Sequence, residues 1–120
     1  MEKITFKVIV AGGRDFFDYA LLEKKLNVLL SGKENIIIVS GMAKGADQCG
    51  ERYAREHNLL ISYFPALWNQ NGNRAGFIRN EEMAKYADAC VCFWDELSVG
   101  TEHMIETAKK MNLNLRVINY

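Results

Sequence analysis

The run Ile36-Ile37-Ile38-Val39-Ser40-Gly41-Met42-Ala43-Lys44-Gly45-Ala46-Asp47 joins a strand, a turn of small residues and the start of a helix. Its first four residues are apolar and β-branched, which is typical of a buried strand. A helical pattern follows from Ala46 to His57. This order places a helix N-terminus directly beyond the end of a strand, as in sheets whose strands run parallel.

The turn in this run has the composition of an anion site. The first N–H groups of a helix have no partner within it, and the helix dipole adds partial positive charge there. Gly41 and Gly45 let a ligand approach the backbone, while Ser40 and Lys44 add donors. Phosphate is the anion such a site favours, which suggests a nucleotide ligand. The alternative is a tight connection in which Asp47 only complements the helix dipole.

The alternation of apolar runs and helical patterns extends along the whole chain. Asp18 is a predicted helix cap, and the polar stretch 68–76 is a predicted long loop. The predicted strands are 4–11, 35–39, 59–64, 89–94 and 115–118, and the predicted helices are 19–31, 46–57, 77–87 and 100–111. Strict alternation with near-continuous apolar strands predicts an α/β fold: a single doubly wound, Rossmann-like parallel sheet of about five strands, order 3-2-1-4-5, with helices on both faces.

Length and charge narrow the functional classes. The 120 residues fit one domain with a single core, predicted to span residues 1–120. Fifteen basic and fifteen acidic residues give a formal net charge of zero. A domain that grips a phosphate backbone usually carries a basic excess, so bulk nucleic-acid binding is not favoured.

Cysteine usage and hydropathy indicate a cytoplasmic protein. Cys49, Cys90 and Cys92 lie in core-like patterns without chelate spacing, so reduced thiols and no bound metal are expected. No apolar run approaches the roughly 20 residues that span a bilayer, and residues 1–5 enter a strand without a leader-like apolar region. No membrane contact is expected.

Loops that follow the strands differ in chemistry from loops that precede them. In a doubly wound sheet all strand-to-helix loops lie at one edge, and ligands bind there near the reversal of strand order, between strands 1 and 4. The opposite edge carries short turns without arginine. We predict that the ligand-binding residues are Gly12, Gly13, Arg14, Asp15, Ser40, Gly41, Lys44, Gly45, Asp47, Arg79, Asn80, Asp95, Ser98, Gly100 and Thr101.

Several of these side chains have an assignable role. Arg14 and Arg79 carry planar guanidinium groups that suit phosphate or carboxylate, and Asn80 could read a base or sugar edge. Asp95, at the end of strand 4, could contact a ribose hydroxyl or act as an acid or base. A second helix-start anion site is formed by Ser98, Gly100 and Thr101.

Each role has a structural alternative. Arg14 and Asp15 could form a loop ion pair, and Arg79 could pair with Glu82 across one helix turn. Asp95 or Ser98 could only cap the last helix. Dinucleotide cofactors are not expected, because Gly-x-Gly-x-x-Gly is absent after strand 1 and strand 2 does not end in an acidic residue.

Four motifs occur in order along the chain: Val10-Ala11-Gly12-Gly13-Arg14-Asp15, Ser40-Gly41-x-Ala43-Lys44-Gly45-Ala46-Asp47, Gly76-x-x-Arg79-Asn80-x-x-Met83, and Phe93-Trp94-Asp95 with Ser98-x-Gly100-Thr101. Together they resemble the YspA, cpYpsA-related family of the SLOG superfamily over nearly the whole chain. Met42 stands where that family commonly has glycine. The resemblance implies a Rossmann-like domain that binds a nucleotide or nucleotide derivative as a sensor or processor, often in phage or mobile-element settings.

Two relatives in the superfamily suggest more specific activities. The Ser40–Asp47 loop is similar to that of DNA-processing protein A, which implies single-stranded nucleic-acid binding as an alternative. The LOG phosphoribohydrolases cleave an N-glycosidic bond with an arginine and a glutamate. Arg79 matches that arginine, but the glutamate position is Met104 here, and Glu102 lies on another helix face. If the chain hydrolyses such a bond, Arg79 would hold the phosphate and Asp95 or Glu102 would supply the carboxylate.

The sequence allows more than one mode of assembly and more than one kind of partner. Relatives pair through helices, and the apolar stripe Phe77, Ile78, Met83 and Tyr86 suggests a homodimer. The same stripe could equally cover the sheet. A module that docks another protein and keeps only a vestigial pocket is a further alternative.

Overall fold

A five-stranded parallel sheet forms the centre of the computed structural model, which describes residues 4–120. The strands are β1 (Phe6–Gly12), β2 (Ile36–Ser40), β3 (Leu60–Tyr63), β4 (Ala89–Trp94) and β5 (Asn114–Asn119). They lie in the order β3-β2-β1-β4-β5, and all neighbours pair in parallel. The predicted α/β fold and strand order are therefore confirmed. The expectation that residues 1–5 lead straight into a strand involves Met1 to Lys3, which lie outside the described residues.

Helices connect successive strands. They are α1 (Tyr19–Leu29), α2 (Ala46–Glu56), the single turn α3 (Trp68–Asn71), α4 (Ala75–Tyr86) and α5 (Val99–Lys110). Asp18 caps α1 as predicted, because its Oδ1 accepts a hydrogen bond from the Leu21 N–H at 3.1 Å. Between residues 4 and 120, no helix combines the length and the apolar character that crossing a membrane requires.

The prediction of a long loop over residues 68–76 is wrong. The Leu67 carbonyl accepts hydrogen bonds from the N–H groups of Gln70 and Asn71, which closes the one-turn helix α3. A 3₁₀ turn, Gly72–Arg74, then leads into α4, which begins at the buried Ala75. Such short helices need only local backbone hydrogen bonds and show no apolar periodicity, so their sequence has the character of a loop.

The sheet is covered on both faces by apolar side chains. Along β1, Val8 and Val10 belong to the cluster that contains the α1 and α2 side chains, while Ile9 and Ala11 belong to the cluster that contains those of α4 and α5. This alternation follows from the two-residue period of a strand. Met83 and Tyr86 pack into the second cluster and cover the sheet, whereas Phe77 remains 39% exposed.

Candidate functional site

A pocket of about 450 Å³ opens at the carboxyl edge of the sheet, where the strand order reverses between β1 and β4. Its walls come from the loops after β1, β2 and β4 and from α4 and α5. The volume lies within the usual range for small-molecule sites, and the position is where doubly wound sheets bind ligands. The lining residues are Ala11, Gly12, Gly13, Arg14, Asp15, Ala43, Asp47, Arg79, Asn80, Met83, Asp95, Ser98, Gly100, Thr101 and Met104.

Several predicted site residues lie outside this lining, namely Ser40, Gly41, Lys44, Gly45 and Glu102. Ser40 is 1% exposed, and its hydroxyl donates to Glu51 Oε2 at 2.5 Å and accepts from the Met42 N–H at 3.1 Å. Lys44 and Glu102 are exposed. The structure therefore does not bring the Ser40 and Lys44 donors to the pocket, and Glu102 is not positioned to act within it.

Gly45 joins the first two strand-to-helix loops. Its φ of 81° lies in the left-handed region, and a Cβ there would collide with the backbone of Gly13 and Arg14. The adjacent Ala46 N–H donates to the Gly13 carbonyl at 3.2 Å. The glycine expected to admit a ligand instead admits the neighbouring loop, and the first N–H of α2 is already bonded.

Arg79 is fixed in place at the wall of the pocket. Its Nη1 donates to the Gly41 carbonyl at 2.6 Å, and its Nε donates to Asn80 Oδ1 at 3.1 Å. A Cβ on Gly41 would lie 2.7 Å from Nη1, so this glycine makes room for the guanidinium. Burial lowers the pKa of Arg79, and the nearby Asp47 raises it. No ion pair with Glu82 forms among residues 4–120.

Asn80 links α4 to α5 and orients Arg79. The side chain is 4% exposed, and its Nδ2 lies 3.2 Å from both the Gly100 carbonyl and His103 Nδ1. Because the Asn80 amide donates, His103 Nδ1 accepts, which assigns the ring proton to Nε2. Burial lowers the pKa of His103, whose ring stacks on Phe77 at 4.2 Å. Both ends of the Asn80 amide are thus occupied by protein groups.

Asp47 presents a buried carboxyl group to the pocket. It is 5% exposed, and its Oδ2 accepts from the Ala43 N–H at 3.1 Å. Its Oδ1 has no partner among the described residues. Every fully buried side-chain polar atom in that part of the chain has a partner, so Oδ1 is not fully buried and is accessible from the pocket that Asp47 lines. Burial raises the pKa of Asp47 to about 6, although the Ala43 hydrogen bond, Arg79 and Arg14 act to lower it. A carboxyl group in this pKa range can exchange protons near neutral pH.

Asp95 and Ser98 build the start of α5. Asp95 Oδ1 accepts from the N–H groups of Leu97 at 2.9 Å and Ser98 at 2.8 Å, and these bonds lower the pKa of Asp95. Ser98 Oγ accepts from the Thr101 N–H at 3.3 Å and lies 2.9 Å from Thr101 Oγ1. The capping alternative is therefore confirmed for Ser98, whereas Asp95 bonds to the two residues that precede the helix. Each nonetheless lines the pocket.

Tyr120 contacts the pocket wall, and sequence reasoning did not anticipate it. Its hydroxyl donates to Asp15 Oδ1 at 2.5 Å, and its N–H donates to the Trp94 carbonyl at 3.2 Å. Burial, followed by the hydrogen bond to Asp15, raises the pKa of Tyr120. Asp15 is thus tied to Tyr120 and forms no ion pair with Arg14 among residues 4–120. No local motif marks Tyr120, because only the pairing of β5 with β4 brings it here.

The charged groups of the pocket fall into two sets. The basic end comprises Arg14, Asp47 and Arg79, whose charges perturb one another. The acidic end comprises Asp15, Asp95 and Tyr120, and both carboxylates raise the pKa of the Tyr120 hydroxyl. Within residues 4–120, no three His, Cys, Asp or Glu side chains are grouped so as to hold a metal ion. One set therefore offers guanidinium donors beside the Asp47 carboxyl group, and the other offers carboxylate acceptors.

Comparison with known proteins agrees with this architecture. The chain is 31% identical over 121 residues to the Gene 61 protein of Mycobacterium phage D29, with 95% of each chain covered. The solved structure of DNA processing protein A (DprA) from Streptococcus pneumoniae matches with a TM-score of 0.74 at 18% identity. That match covers 94% of this chain and 50% of DprA, so the chain spans about half of that protein, and the likeness concerns the fold.

A family model supplies the assignment. The model of the YspA, cpYpsA-related SLOG family matches residues 6–70, which contain β1, β2 and the Gly45 contact between their loops. Those residues are more than half of the chain. The strand order predicted from the alternation of strands and helices is also the order found. The chain therefore belongs to the YspA, cpYpsA-related SLOG family.

Proposed function

We propose that the chain acts as a single nucleotide-binding domain whose pocket takes a nucleotide or nucleotide derivative. Its family and its fold support a Rossmann-like domain associated with nucleotides or nucleic acids. The observation that carries the proposal is the presence of two guanidinium groups and the start of a helix around one pocket at the reversal of strand order. These are the groups that proteins commonly use to bind phosphate.

The phosphate is assigned to the basic end. Arg79 has two of its guanidinium nitrogens occupied by Gly41 and Asn80, which fixes the plane of the group and leaves Nη2 without a partner among the described residues. Arg14 lines the same wall. At Gly100, the space where a Cβ would lie is open, so a ligand can approach the first turn of α5. A guanidinium held in a fixed orientation loses little further freedom on binding.

The ligand is either sensed or hydrolysed, and the geometry limits the choice of catalytic carboxyl group. Glu102 lies outside the pocket. Asp95 has a lowered pKa and stays ionised near neutral pH, which makes it a poor general acid. Asp47 reaches the pocket and has a pKa of about 6. For hydrolysis of an N-glycosidic or phosphate-ester bond, we therefore assign proton transfer to Asp47.

A thermal-shift screen tests ligand binding directly. Purified protein is heated with nucleoside mono-, di- and triphosphates, ADP-ribose and cyclic dinucleotides. A ligand that binds only the folded state raises the melting temperature by an amount that grows with its concentration relative to Kd. Each hit is then incubated with the protein and assayed for released base or phosphate. A folded protein that responds to none of these compounds would contradict nucleotide binding and favour a protein-docking role.

Arg79→Ala tests the assignment of the phosphate. We expect affinity for the phosphorylated hit to fall about tenfold to a hundredfold, because a charge-assisted hydrogen bond is lost, and affinity for the matching nucleoside to change little. Arg74→Ala is the control, since Arg74 is exposed and does not line the pocket. Titration calorimetry gives both affinities. Equal loss for nucleotide and nucleoside would rule out phosphate binding by Arg79.

Single-stranded nucleic-acid binding is the second candidate, favoured by the fold shared with DprA. The zero net charge and the carboxylates of the acidic end oppose it. Fluorescence anisotropy with a labelled oligonucleotide at increasing salt separates the two. Tight binding that weakens steeply with salt would favour this candidate over a mononucleotide site.

A further inference from the structure

We propose that the pocket selects ribonucleotides over deoxyribonucleotides, with the acidic end binding the vicinal hydroxyls of the ribose while the basic end holds the phosphate. The inference rests on the proposed function and adds the class of sugar to it. It depends on how the two carboxylates of the acidic end are arranged.

Each of these carboxylates is immobilised through one oxygen and open at the other. Asp15 Oδ1 accepts from the Tyr120 hydroxyl, and Asp95 Oδ1 accepts from two backbone N–H groups. The Oδ2 atoms of both residues have no hydrogen-bond partner within residues 4–120. A carboxylate oxygen can only accept hydrogen bonds, so what suits these two atoms is a ligand that donates.

Tyr120 keeps the two acids on one wall of the pocket. Its N–H bonds to the carbonyl of Trp94, the residue before Asp95, while its hydroxyl bonds to Asp15. Gly13 accommodates this arrangement, because a Cβ on Gly13 would collide with the Tyr120 hydroxyl and lie 2.7 Å from Asp15 Oδ1. Neither carboxylate forms an ion pair in the described part of the chain.

Vicinal hydroxyls fit this wall better than the other donors. An ammonium group would be attracted to the acids but repelled by Arg14 and Arg79 in the same pocket. A divalent cation would need further protein ligands, and the described residues hold no group of three that could provide them. A diol donates two hydrogen bonds without adding charge. A ribose 5-phosphate unit carries both a diol and a phosphate, so it offers one group to each of the two sets of charged residues.

A deoxyribose leaves one acceptor of this wall without its donor. Hydrogen bonds to charged groups are the stronger kind, so the 2′-hydroxyl adds to the affinity even though Asp15 is exposed and Asp95 is only partly buried. A site built around a substrate hydroxyl therefore rejects the analogue that lacks it. We expect the Kd of each ribonucleotide to be lower than that of its 2′-deoxy counterpart by a factor of about ten or more.

Titration calorimetry on the full chain tests this, with AMP, GMP, CMP and UMP against dAMP, dGMP, dCMP and dUMP in buffer that contains EDTA. A ribonucleotide preference of about tenfold or more supports the inference. Equal affinities overturn it and leave the proposed nucleotide site standing. If neither series binds, the inference is overturned, and the wider thermal-shift screen decides separately whether the proposed function stands. The comparison uses only the wild-type chain, so it does not depend on whether a variant folds.

Variants assign the preference to the acidic end. Asp95→Asn retains a carbonyl oxygen for the Leu97 and Ser98 N–H groups but removes the charge. We expect it to reduce the preference to about threefold or less. Glu96→Gln is the control, because Glu96 does not line the pocket. Asp15→Asn is the second variant, since its carbonyl can still accept from Tyr120. A preference that survives in both variants overturns the role of the acidic end.

Discussion

Asp47 makes folding sensitive to pH in the direction opposite to that of a salt-bridged acid. Burial raises its pKa from 3.8 to about 6, so the folded state disfavours the ionised carboxyl group. Below about pH 4 the group is protonated in both folded and unfolded chains, and there is no penalty. Between about pH 4 and pH 6 the unfolded chain ionises this group while the folded chain keeps it protonated, so stability falls, by about 3 kcal/mol in total once the pH exceeds 6.

Asp47→Asn removes this penalty while keeping an oxygen for the Ala43 N–H. We expect the variant to gain stability relative to wild type as pH rises from 4 to 8, by about 3 kcal/mol across that interval. Urea unfolding of both proteins at several pH values measures the difference, and the other titrating groups largely cancel in the comparison. A stability difference that is independent of pH would contradict the buried, raised-pKa description of Asp47.

At the scale of elements, α2 packs against β1 through a glycine. A Cβ at Gly50 would lie 2.8 Å from Val10 Cβ, which is closer than real side chains pack. Gly100, in the first turn of α5, has no atom within 4 Å of the same position. A larger side chain is therefore excluded at Gly50 by its contact with β1, whereas no neighbouring atom excludes one at Gly100.

The pair gives a matched prediction. Gly50→Ala should destabilise the fold by about 1–3 kcal/mol, because the added methyl group forces α2 away from the sheet. Gly100→Ala should be neutral or stabilising by up to about 1 kcal/mol, since alanine is the better helix former. Urea unfolding at pH 7 measures both. The same sign and size for the two substitutions would contradict the close contact at Gly50.

Elements that bury an apolar pattern could be predicted from the sequence, whereas elements held only by local backbone hydrogen bonds could not. The bounds of β4, residues 89–94, were predicted as found, because an apolar run there ends sharply in acidic residues. The short helix α3 was missed because only local backbone bonds stabilise it. Met42 stands where the family commonly has glycine, and its φ of 65° lies in the left-handed region that glycine favours. A residue with a side chain adopts this conformation at a cost of roughly 1–2 kcal/mol.

The sequence predicted the edge of the sheet at which the pocket lies better than it predicted the individual residues that line the pocket. The loops at the carboxyl edge were identified because topology alone brings them together, and most of the predicted residues line the pocket. Ser40 and Lys44 do not, because the β2 strand continues through Ser40 and the Lys44 side chain is exposed. The unusual protonation of Asp47 depends on burial by residues distant in sequence. Tyr120 joins the site only through tertiary pairing of β5.

At the scale of the whole molecule, three thiols report on the integrity of both faces of the sheet. Cys49 is 9% exposed in the cluster that includes α2, and Cys90 and Cys92 are fully buried in the other cluster. Burial raises the pKa of Cys49, and the hydrogen bond with Cys92, followed by burial, raises the pKa of Cys90. The thiolate is the nucleophile that attacks a disulfide reagent, and a buried sulfur is out of the reagent's reach, so these residues react only when the structure opens.

We therefore expect fewer than one thiol per chain to react promptly with a chromogenic disulfide reagent in the native state, and all three to react in denaturant. A saturating ligand should slow the native reaction, by about a hundredfold at 100 times Kd if opening is global. Absorbance against time measures the rates, and Cys49→Ala shows whether the least buried thiol reacts separately. Prompt labelling of Cys90 or Cys92 would contradict their burial.

The backbone contact between Gly45 and Gly13 has a consequence for engineering. Because the loops after β1 and β2 touch without intervening side chains, neither can be lengthened or exchanged on its own. A graft that transfers this pocket to another parallel sheet must carry both loops as one module. Sequence libraries aimed at new ligand specificity should hold Gly45 constant and vary positions in α4 and α5, where the pocket wall is formed by side chains.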